Sequence, residues 1–357
     1  MTSIISKQLY YLGIDLHKQT AYWTVLDEDR SVVWQKNTKT TKEGIEEAVE
    51  SVPGEPHLYK AAIESITNAP WYAGMLERFG MEVKIVNPLA VGLIARNRLK
   101  TDKADSKILA ELLRNGFLPE CYRAPAKIRN MRETVRFRQK LVRIRTIIKN
   151  RMHSLLAKEG IQHKFSDLFG KEGILWLREE SKTFPTCDQM DSLFKLLDDT
   201  NAEIERFEHT IRTHNKHSSE IQILKTIPGI GDVSACTILA EVGDFGRFPT
   251  ANKLASYAGL VPSSRSSGPR DKLGHITKKG SRTLRFAMVQ AAQRIPPKYE
   301  HLHSLYRKVS KKKGTKVARV AVARKLLVIA YHLIKKKEPF QILSFEHSSS
   351  VKHGSCV

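Results

Sequence analysis

Acidic residues are scarce beside basic ones in this 357-residue chain: 37 Asp and Glu stand against 60 Lys and Arg, a formal charge of +23. A field of that size disfavours basic partners and attracts polyanions before any shape is recognised, which makes nucleic acid the leading partner. Apolar runs of 18 residues are missing, as are a lipidation motif and the apolar stretch of a secretory signal. Their absence argues against a spanning helix and leads us to expect a cytoplasmic protein with no membrane partner. Cysteine is sparse too: Cys121, Cys187, Cys236 and Cys356 lie far apart and form no C-x-x-C pair. Neither a zinc site nor a disulfide framework is indicated, so the thiols are expected to be reduced. What remains is an ordinary globular composition, 41% hydrophobic and 27% charged, in a chain longer than the roughly 250–300 residues at which a single core stops growing. Two globular units with a connector are expected.

Residues 8–38 read as three short strands, 8–16, 21–26 and 31–35, separated by polar turns; two consecutive hairpins open the chain. A helix at about 42–51 follows, then an apolar strand ending in Ala61-Ala62-Ile63-Glu64, a helix near 70–79, and a strand Val83-Lys84-Ile85-Val86 stopped by Asn87-Pro88. Three antiparallel strands followed by alternating helix and strand predict a mixed sheet covered by helices, the α/β order of a ribonuclease H-like domain. That domain is expected to span 1–156, with a helical connector at 157–219, an all-α C-terminal domain at 220–340 and a tail at 341–357.

Between 127 and 151 the chain carries Lys127, Arg129, Arg132, Arg136, Arg138, Lys140, Arg143, Arg145, Lys149 and Arg151 against Glu133 alone. Val135, Leu141, Ile144, Ile148, Met152 and Leu155 interleave at helical spacing, so one face packs and the rest is cationic. Phosphate contact is the reading we favour; a merely solvated helix face is the other. Further on, Leu193, Leu197, Thr200, Ile204, Phe207 and Ile211 step by 4, 3, 4, 3, 4, a short heptad seam that fits either a coiled-coil connector or a helix packing on its own domain.

Four carboxylates carry the candidate chemistry. Asp15 ends the first strand, Glu64 ends the fourth, and Asp102 and Asp105 are three apart where a helix through 108–113 begins. Positions i and i+3 share a helix face, so the last two can point together toward the strand ends. Such a set offers hard oxygen ligands for Mg²⁺ and the alignment of attacking and leaving oxygens at a phosphodiester. Each acid also has a plainer reading, as a turn residue, a strand terminus or a helix cap. His17 alternates onto the side of Asp15 and is either a lining residue or a polar surface histidine.

Beyond 220, Ile227-Pro228-Gly229-Ile230-Gly231 opens a helix at 233–241, and Gly229 and Gly231 there would let backbone N–H groups approach a phosphate, as in a helix-hairpin-helix; a plain inter-helix turn is the alternative. The loop Ala258-Gly259-Leu260-Val261-Pro262-Ser263-Ser264-Arg265-Ser266-Ser267-Gly268 precedes Lys272, Lys278, Lys279, Arg282 and Arg285. Its serines are either solvated turn residues or a nucleophile toward phosphorus that lacks an evident His-Asp base.

These stretches resemble one family closely, the DEDD-type transposases of bacterial insertion sequences, whose members act as recombinases guided by a bridge RNA. The likeness rests on Gly13-Ile14-Asp15-Leu16-His17-Lys18, Ile63-Glu64-Ser65, Val86-Asn87-Pro88 and Lys100-Thr101-Asp102-Lys103-Ala104-Asp105. It continues, in order, through Ile227-Pro228-Gly229-Ile230-Gly231, Tyr257-Ala258-Gly259-Leu260-Val261-Pro262, Ser267-Gly268 and Ile276-Thr277-Lys278-Lys279-Gly280. The resemblance implies that Asp15, Glu64, Asp102 and Asp105 form a RuvC-like Mg²⁺ site and that Ser267 is the nucleophile that bonds covalently to DNA, with Ser266 beside it. It further implies a DNA transposase working on element ends and target, a bridge RNA partner, and a homo-oligomer. Where the family usually has small residues with a glycine after the glutamate, this chain reads Ser65-Ile66-Thr67-Asn68. The alternative function is a RuvC-like hydrolytic nuclease or junction resolvase without a covalent intermediate, which would need the acids and be indifferent to Ser267.

Overall fold

A computed structural model of the protein describes residues 8–94, 101–265 and 272–341, and its contacts divide the chain into two units, Met1–Arg123 and Ala124–Val357. In the first unit β1 (Tyr10–Leu16), β2 (Thr20–Leu26) and β3 (Val32–Lys39) are followed by α1 (Lys42–Ser51), β4 (Tyr59–Glu64), α2 (Ala69–Arg78), β5 (Glu82–Val86), α3 (Pro88–Ile94) and α4 (Asp102–Arg114). The strands order as β3-β2-β1-β4-β5, with β2 antiparallel to both neighbours and β4 parallel to β1 and β5. Parallel neighbours need crossovers, and α1 and α2 supply them.

Alternation along the strands sorts side chains onto two faces. Leu12, Ile14, Trp23, Val25, Ala61 and Ile63 pack with Ile45, Ala48, Tyr72 and Leu76 of α1 and α2. Trp23 Nε1 donates to the Tyr72 hydroxyl at 2.8 Å, so the buried indole N–H is satisfied. Tyr11, Ala62 and Val86 face the other way, against Leu109 and Leu113 of α4.

Gly13 makes that second layer possible. A Cβ there would lie 1.9 Å from the Ser106 carbonyl oxygen and 2.6 Å from the Ala110 nitrogen, so α4 rests on bare strand backbone. A chain of hydroxyls pins the helix beside it: Gln35 Nε2 donates to Thr24 Oγ1 (3.0 Å), Thr24 and Ser106 bond at 2.7 Å, and Ser106 Oγ donates to the Lys103 carbonyl (3.1 Å). With the Ser106 proton directed at Lys103, Thr24 is the donor to Ser106.

Two features of this unit differ from the sequence reading. β3 runs to Lys39 rather than 35, because it is an edge strand with mostly exposed or half-exposed side chains and no apolar alternation to mark its end. α3 is additional. Asn87-Pro88 does stop β5, but proline at a first helical position costs no hydrogen bond, and Asn87 Oδ1 accepts from Leu89 N at 3.0 Å, so the same pair starts a helix.

The second unit comprises α5 (Ala126–Lys158), α6 (Lys171–Glu180), α7 (Cys187–His214), α8 (Ser219–Lys225), α9 (Asp232–Val242), α10 (Ala251–Tyr257), β6 (Pro262–Arg265), β7 (Lys272–Ile276), α11 (Arg282–Gln293), α12 (Glu300–Lys313) and α13 (Thr315–Lys336). α5, 33 residues long, measures about 50 Å. α7 lies antiparallel along it, as Arg138 bonds Glu208, Arg145 bonds Asn201 and Arg151 bonds Gln189. The heptad seam closes within the chain: Leu193 and Leu197 pack with Ile148, Met152 and Leu155, and Ile211 with Met131 and Val135. The basic helix therefore groups by contact with the C-terminal helices, and the boundary falls at Arg123/Ala124.

The C-terminal region is mostly helical but not all-α, which corrects the expectation. β6 and β7 pair antiparallel from Pro262↔Ile276 to Arg265↔Lys272. Nothing in Pro262-Ser263-Ser264-Arg265 alternates, so the strand is invisible in sequence; it is imposed at the hairpin's base. Gly259 (φ +67°) and Gly280 (φ +93°) sit where a Cβ would meet Lys279 O at 2.4 Å and Tyr257 O at 1.9 Å, so the two chain ends are pinched together. Cys121, Cys187 and Cys236 are free thiols, and burial pushes Cys236 up to about 12. Among the described residues no helix is long and apolar enough to cross a membrane.

Gly13→Ala is expected to destabilise the first unit by about 1–3 kcal/mol, since α4 must lift off β1. Gly92→Ala in α3, where an added Cβ meets nothing within 4 Å, should instead stabilise by about 0.5–1 kcal/mol. Urea denaturation of the two variants against the parent measures both signs.

Candidate carboxylate site and cationic surface

Asp15 and Glu64 emerge on the α4 side of the sheet. β1 and β4 pair in parallel with Ile14 opposite Ile63, so Asp15 and Glu64, one residue further along each strand, stand level at neighbouring C-terminal ends and share the face of Gly13 and Ala62. α4 begins on that same face. Its N-cap is Thr101, whose hydroxyl accepts from Ala104 N at 3.2 Å, so neither Asp102 nor Asp105 is needed as the cap. Both acids lie in the first turn, where the helix dipole favours negative charge.

His17 joins the group. Its Nε2 lies 3.3 Å from Asp15 Oδ2 and 3.5 Å from Asp102 Oδ1. The turn that carries it is fixed from two sides, with His17 N donating to Thr20 O (2.8 Å) and the Thr40 hydroxyl donating to His17 O (3.1 Å). His17 is exposed and also stands beside the two carboxylates, so both sequence readings of it, a surface histidine and a lining residue, fit the geometry. Asp15 is only 7% exposed. Burial pushes its carboxyl up from the usual range, His17 pulls it down, and the Asp102 and Asp105 carboxylates push it up again.

Asp15, His17 and Asp102 present ligand atoms that all lie within 4.8 Å of one another. A buried carboxylate crowded by like charges is stabilised by a divalent cation, and carboxylate oxygens suit a hard one such as Mg²⁺, so the residues present fit a metal. Glu64 is level with Asp15 in the sheet, but neither it nor Asp105 belongs to that close group of three.

The cationic helix is less free than its sequence reads. Arg129 donates to Ala124 O (2.8 Å) and Arg132 to Ala240 O (2.9 Å). Arg136 grips both oxygens of Glu241 at 2.7 and 3.0 Å. Arg138, Arg145 and Arg151 reach α7, and Lys149 lies 4.5 Å over the Phe169 ring. Burial, and then Arg145, pull the Lys149 ammonium below its ordinary value. Lys140 and Arg143 are exposed and have none of these ties.

Glu241 was missed by motif reading. It is fully buried and also accepts from Ser281 Oγ at 2.8 Å, while Ser281 caps α11 through Leu284 N (3.0 Å). The available signal was an acid inside Ala235–Val242, all of it buried, since a charge in such a stretch requires a partner. Gly229 has φ +81°, and a Cβ there would meet Ala291 O at 2.2 Å, whereas a Cβ on Gly231 meets nothing. Packing thus accounts for the first glycine, and the second leaves the N-terminus of α9 open. Lys278, Lys279 and Arg282 are exposed beside the hairpin. Ser266 and Ser267 belong to its connecting segment, 266–271, and lie outside the described residues.

Residues 12–159 match the family profile of the DEDD transposase of IS110, and residues 221–307 match that of the transposase IS116/IS110/IS902 family. The chain is similar to a probable family 20 transposase of Pseudomonas aeruginosa, 28% identical over 80% of this chain and 83% of the relative. It is also similar to the transposase for insertion sequence element IS1111A of Coxiella burnetii, 23% identical over 94% and 92%. A pilin gene-inverting protein of Moraxella lacunata is 26% identical over 92% and 97%.

Arg136→Met leaves the Glu241 carboxylate buried without its guanidinium, and an expected loss of about 3–5 kcal/mol follows. Lys140→Gln and Arg143→Gln should change stability by less than about 0.5 kcal/mol. Thermal melts of the three variants separate the arginine that holds the fold from the cations that face solvent.

Proposed function

The chain belongs to the IS110 family of insertion-sequence transposases, and from that membership we propose that it cuts and rejoins DNA using Asp15, Glu64, Asp102 and Asp105 as a Mg²⁺ site and Ser267 as the nucleophile. The observation that carries the first half is the meeting of Asp15, His17 and Asp102 at the end of β1, level with Glu64. The order β3-β2-β1-β4-β5 supports a ribonuclease H-like, RuvC-like reading of the first unit.

Bound Mg²⁺ would supply a Lewis acid for a phosphoryl oxygen. The protein's own groups do the positioning. Gly13 lets α4 bring Asp102 and Asp105 to the strand ends, and the Thr24–Ser106 pair holds that helix in place. His17 spans Asp15 and Asp102, so it keeps the two carboxylates oriented. Ser267 Oγ attacks phosphorus: a serine–phosphate bond forms, the bond to a deoxyribose oxygen breaks, and the departing hydroxyl ends with the proton. Attack by another deoxyribose hydroxyl then reverses the step and releases the serine, conserving the phosphodiester energy that hydrolysis would lose.

Lys140, Arg143, Lys278, Lys279, Arg282 and the open N-terminus of α9 at Gly231 are the groups we assign to phosphate contact; Arg129, Arg132, Arg136, Arg138, Arg145, Lys149 and Arg151 have internal partners that such contact would share. A bridge RNA supplies target choice by base pairing, and the working form is a homo-oligomer acting in the bacterial cytoplasm. The pilin gene-inverting relative supports rejoining over simple hydrolysis.

An excision assay from a donor plasmid carrying the element's own ends tests the reading. Asp15→Asn, Asp102→Asn and Ser267→Ala are each expected to abolish circle formation, as is EDTA, reversed by excess Mg²⁺. Ser266→Ala should recombine. A protein–DNA adduct trapped on a nicked substrate should be absent from Ser267→Ala alone among the serine variants. Normal recombination by Ser267→Ala would remove the serine step and leave the carboxylates as a hydrolytic nuclease.

A further inference from the structure

The longest stretch of one-signed charge is not in the basic helix. From His301 to Lys337 the chain has twelve Lys and Arg and no Asp or Glu. Most of this stretch lies beyond residues 221–307, the part matched by the family profile. It folds as the helical hairpin α12–Gly314–α13. α13 is anchored by Ala318, Val322, Ala323, Leu326, Leu327 and Ala330, all buried, so the turn between the helices is carried on a rigid support.

At that turn every residue from Lys311 to Val317 is exposed, and four of the seven are lysines, Lys311, Lys312, Lys313 and Lys316. Among the described residues none of these four has a carboxylate partner, whereas Arg307 on the same hairpin is paired with Glu300. Gly314 takes φ +83° with nothing within 4 Å of the position a Cβ would occupy, so the space over the turn is open.

The helix dipoles separate structural from ligand-directed charge. The negative end of α12 amounts to roughly half a charge, so the three lysines of its last turn complement it and exceed it. Lys316 is the opposite case: it lies in the first turn of α13, whose N-cap Gly314 makes no side-chain hydrogen bond and whose first turn holds no acid. A cation at an uncapped positive helix end is disfavoured unless an anion sits between them. Together the uncapped N–H groups and the four ammonium groups make a local excess of positive charge with no anion from the chain.

The chemistry of the tip also selects among anions. Lysine is a flexible point charge that neutralises a phosphate without the planar, bidentate recognition arginine provides. From Arg307 to Ala330 there is no aromatic residue, so the tip has no ring on which an unpaired base could stack, as single-stranded nucleic acid requires. A duplex, met along its backbone, fits both facts, and DNA is what this family transposes.

We propose that the α12–Gly314–α13 tip is a sequence-independent binding site for the phosphate backbone of double-stranded DNA, separate from the carboxylate site and from the serine hairpin.

The test is a salt titration of the full-length chain binding a duplex of arbitrary sequence, read by fluorescence anisotropy. The variant carries Lys311→Gln, Lys312→Gln, Lys313→Gln and Lys316→Gln. A control carries the same loss of charge at Lys158, Lys164, Lys171 and Lys195, which are exposed elsewhere in the same unit. With about 0.9 counterions released per phosphate contact, the tip variant should flatten the slope of log K against log salt by about 3–4 units and bind at least tenfold more weakly at physiological salt. An unchanged slope, or an equal change in the control, overturns the proposal. So does a loss as large on double-stranded RNA as on DNA. All four side chains face solvent, so the variant's thermal melt should match the parent's. The titration reads binding alone and requires no cutting, which keeps failure of this site distinct from failure of the catalytic reading.

Discussion

The missing side chain at Gly13 is the constraint on which the first unit turns. A sheet strand ordinarily presents a side chain to the layer above, and the packed distance follows from its size. Here α4 descends onto the backbone of β1, to within 1.9 Å of where a Cβ would be. That descent brings the first turn of α4 to the level of Asp15, and it places the Ser106 hydroxyl within 2.7 Å of Thr24. A bulkier residue would leave the fold's connectivity intact and move the acids of α4 away from Asp15. The Asp15–His17–Asp102 cluster is thus a consequence of helix–strand packing as much as of the acids themselves.

Positive charge in the second unit divides into two kinds. Arginines of α5 hold the unit together through carbonyls, Glu208 and the buried Glu241, so their guanidiniums are structural as well as cationic. Among the described residues, the exposed lysines of the α12–α13 turn have no such tie. An arginine's planar fork suits a fixed internal partner, and a lysine's flexible ammonium suits a mobile backbone of phosphates. The same sign of charge is thus held by internal partners in one place and left facing solvent in another, and only the positions of the counter-charges tell them apart.

Glu241 links this division to the serine hairpin. Its carboxylate receives both Arg136 and Ser281, and Ser281 caps α11 immediately after Gly280, one of the two glycines that pinch the hairpin closed. A buried charge, a helix cap and a left-handed glycine thus converge on the base of the segment that bears Ser267. The groups that hold the base of this hairpin are spread over four elements that no local motif would connect.

Local patterning determined a good deal. Apolar alternation placed β1, β2, β4 and β5, and the spacing of Asp102 and Asp105 put both acids on one helix face, because strand and helix periods are properties of adjacent residues. The ordered motifs from Gly13-Ile14-Asp15 to Ile276-Thr277-Lys278 carried the family. What the sequence did not decide was every relation between residues far apart in the chain: the capping of α4 by Thr101 in place of its acids, the closing of the α7 seam on α5, the hairpin at Pro262, and the tie of Arg136 to Glu241. Those depend on which backbones approach closely enough to exclude water and exchange hydrogen bonds, a matter of packed distances that one-dimensional pattern does not contain.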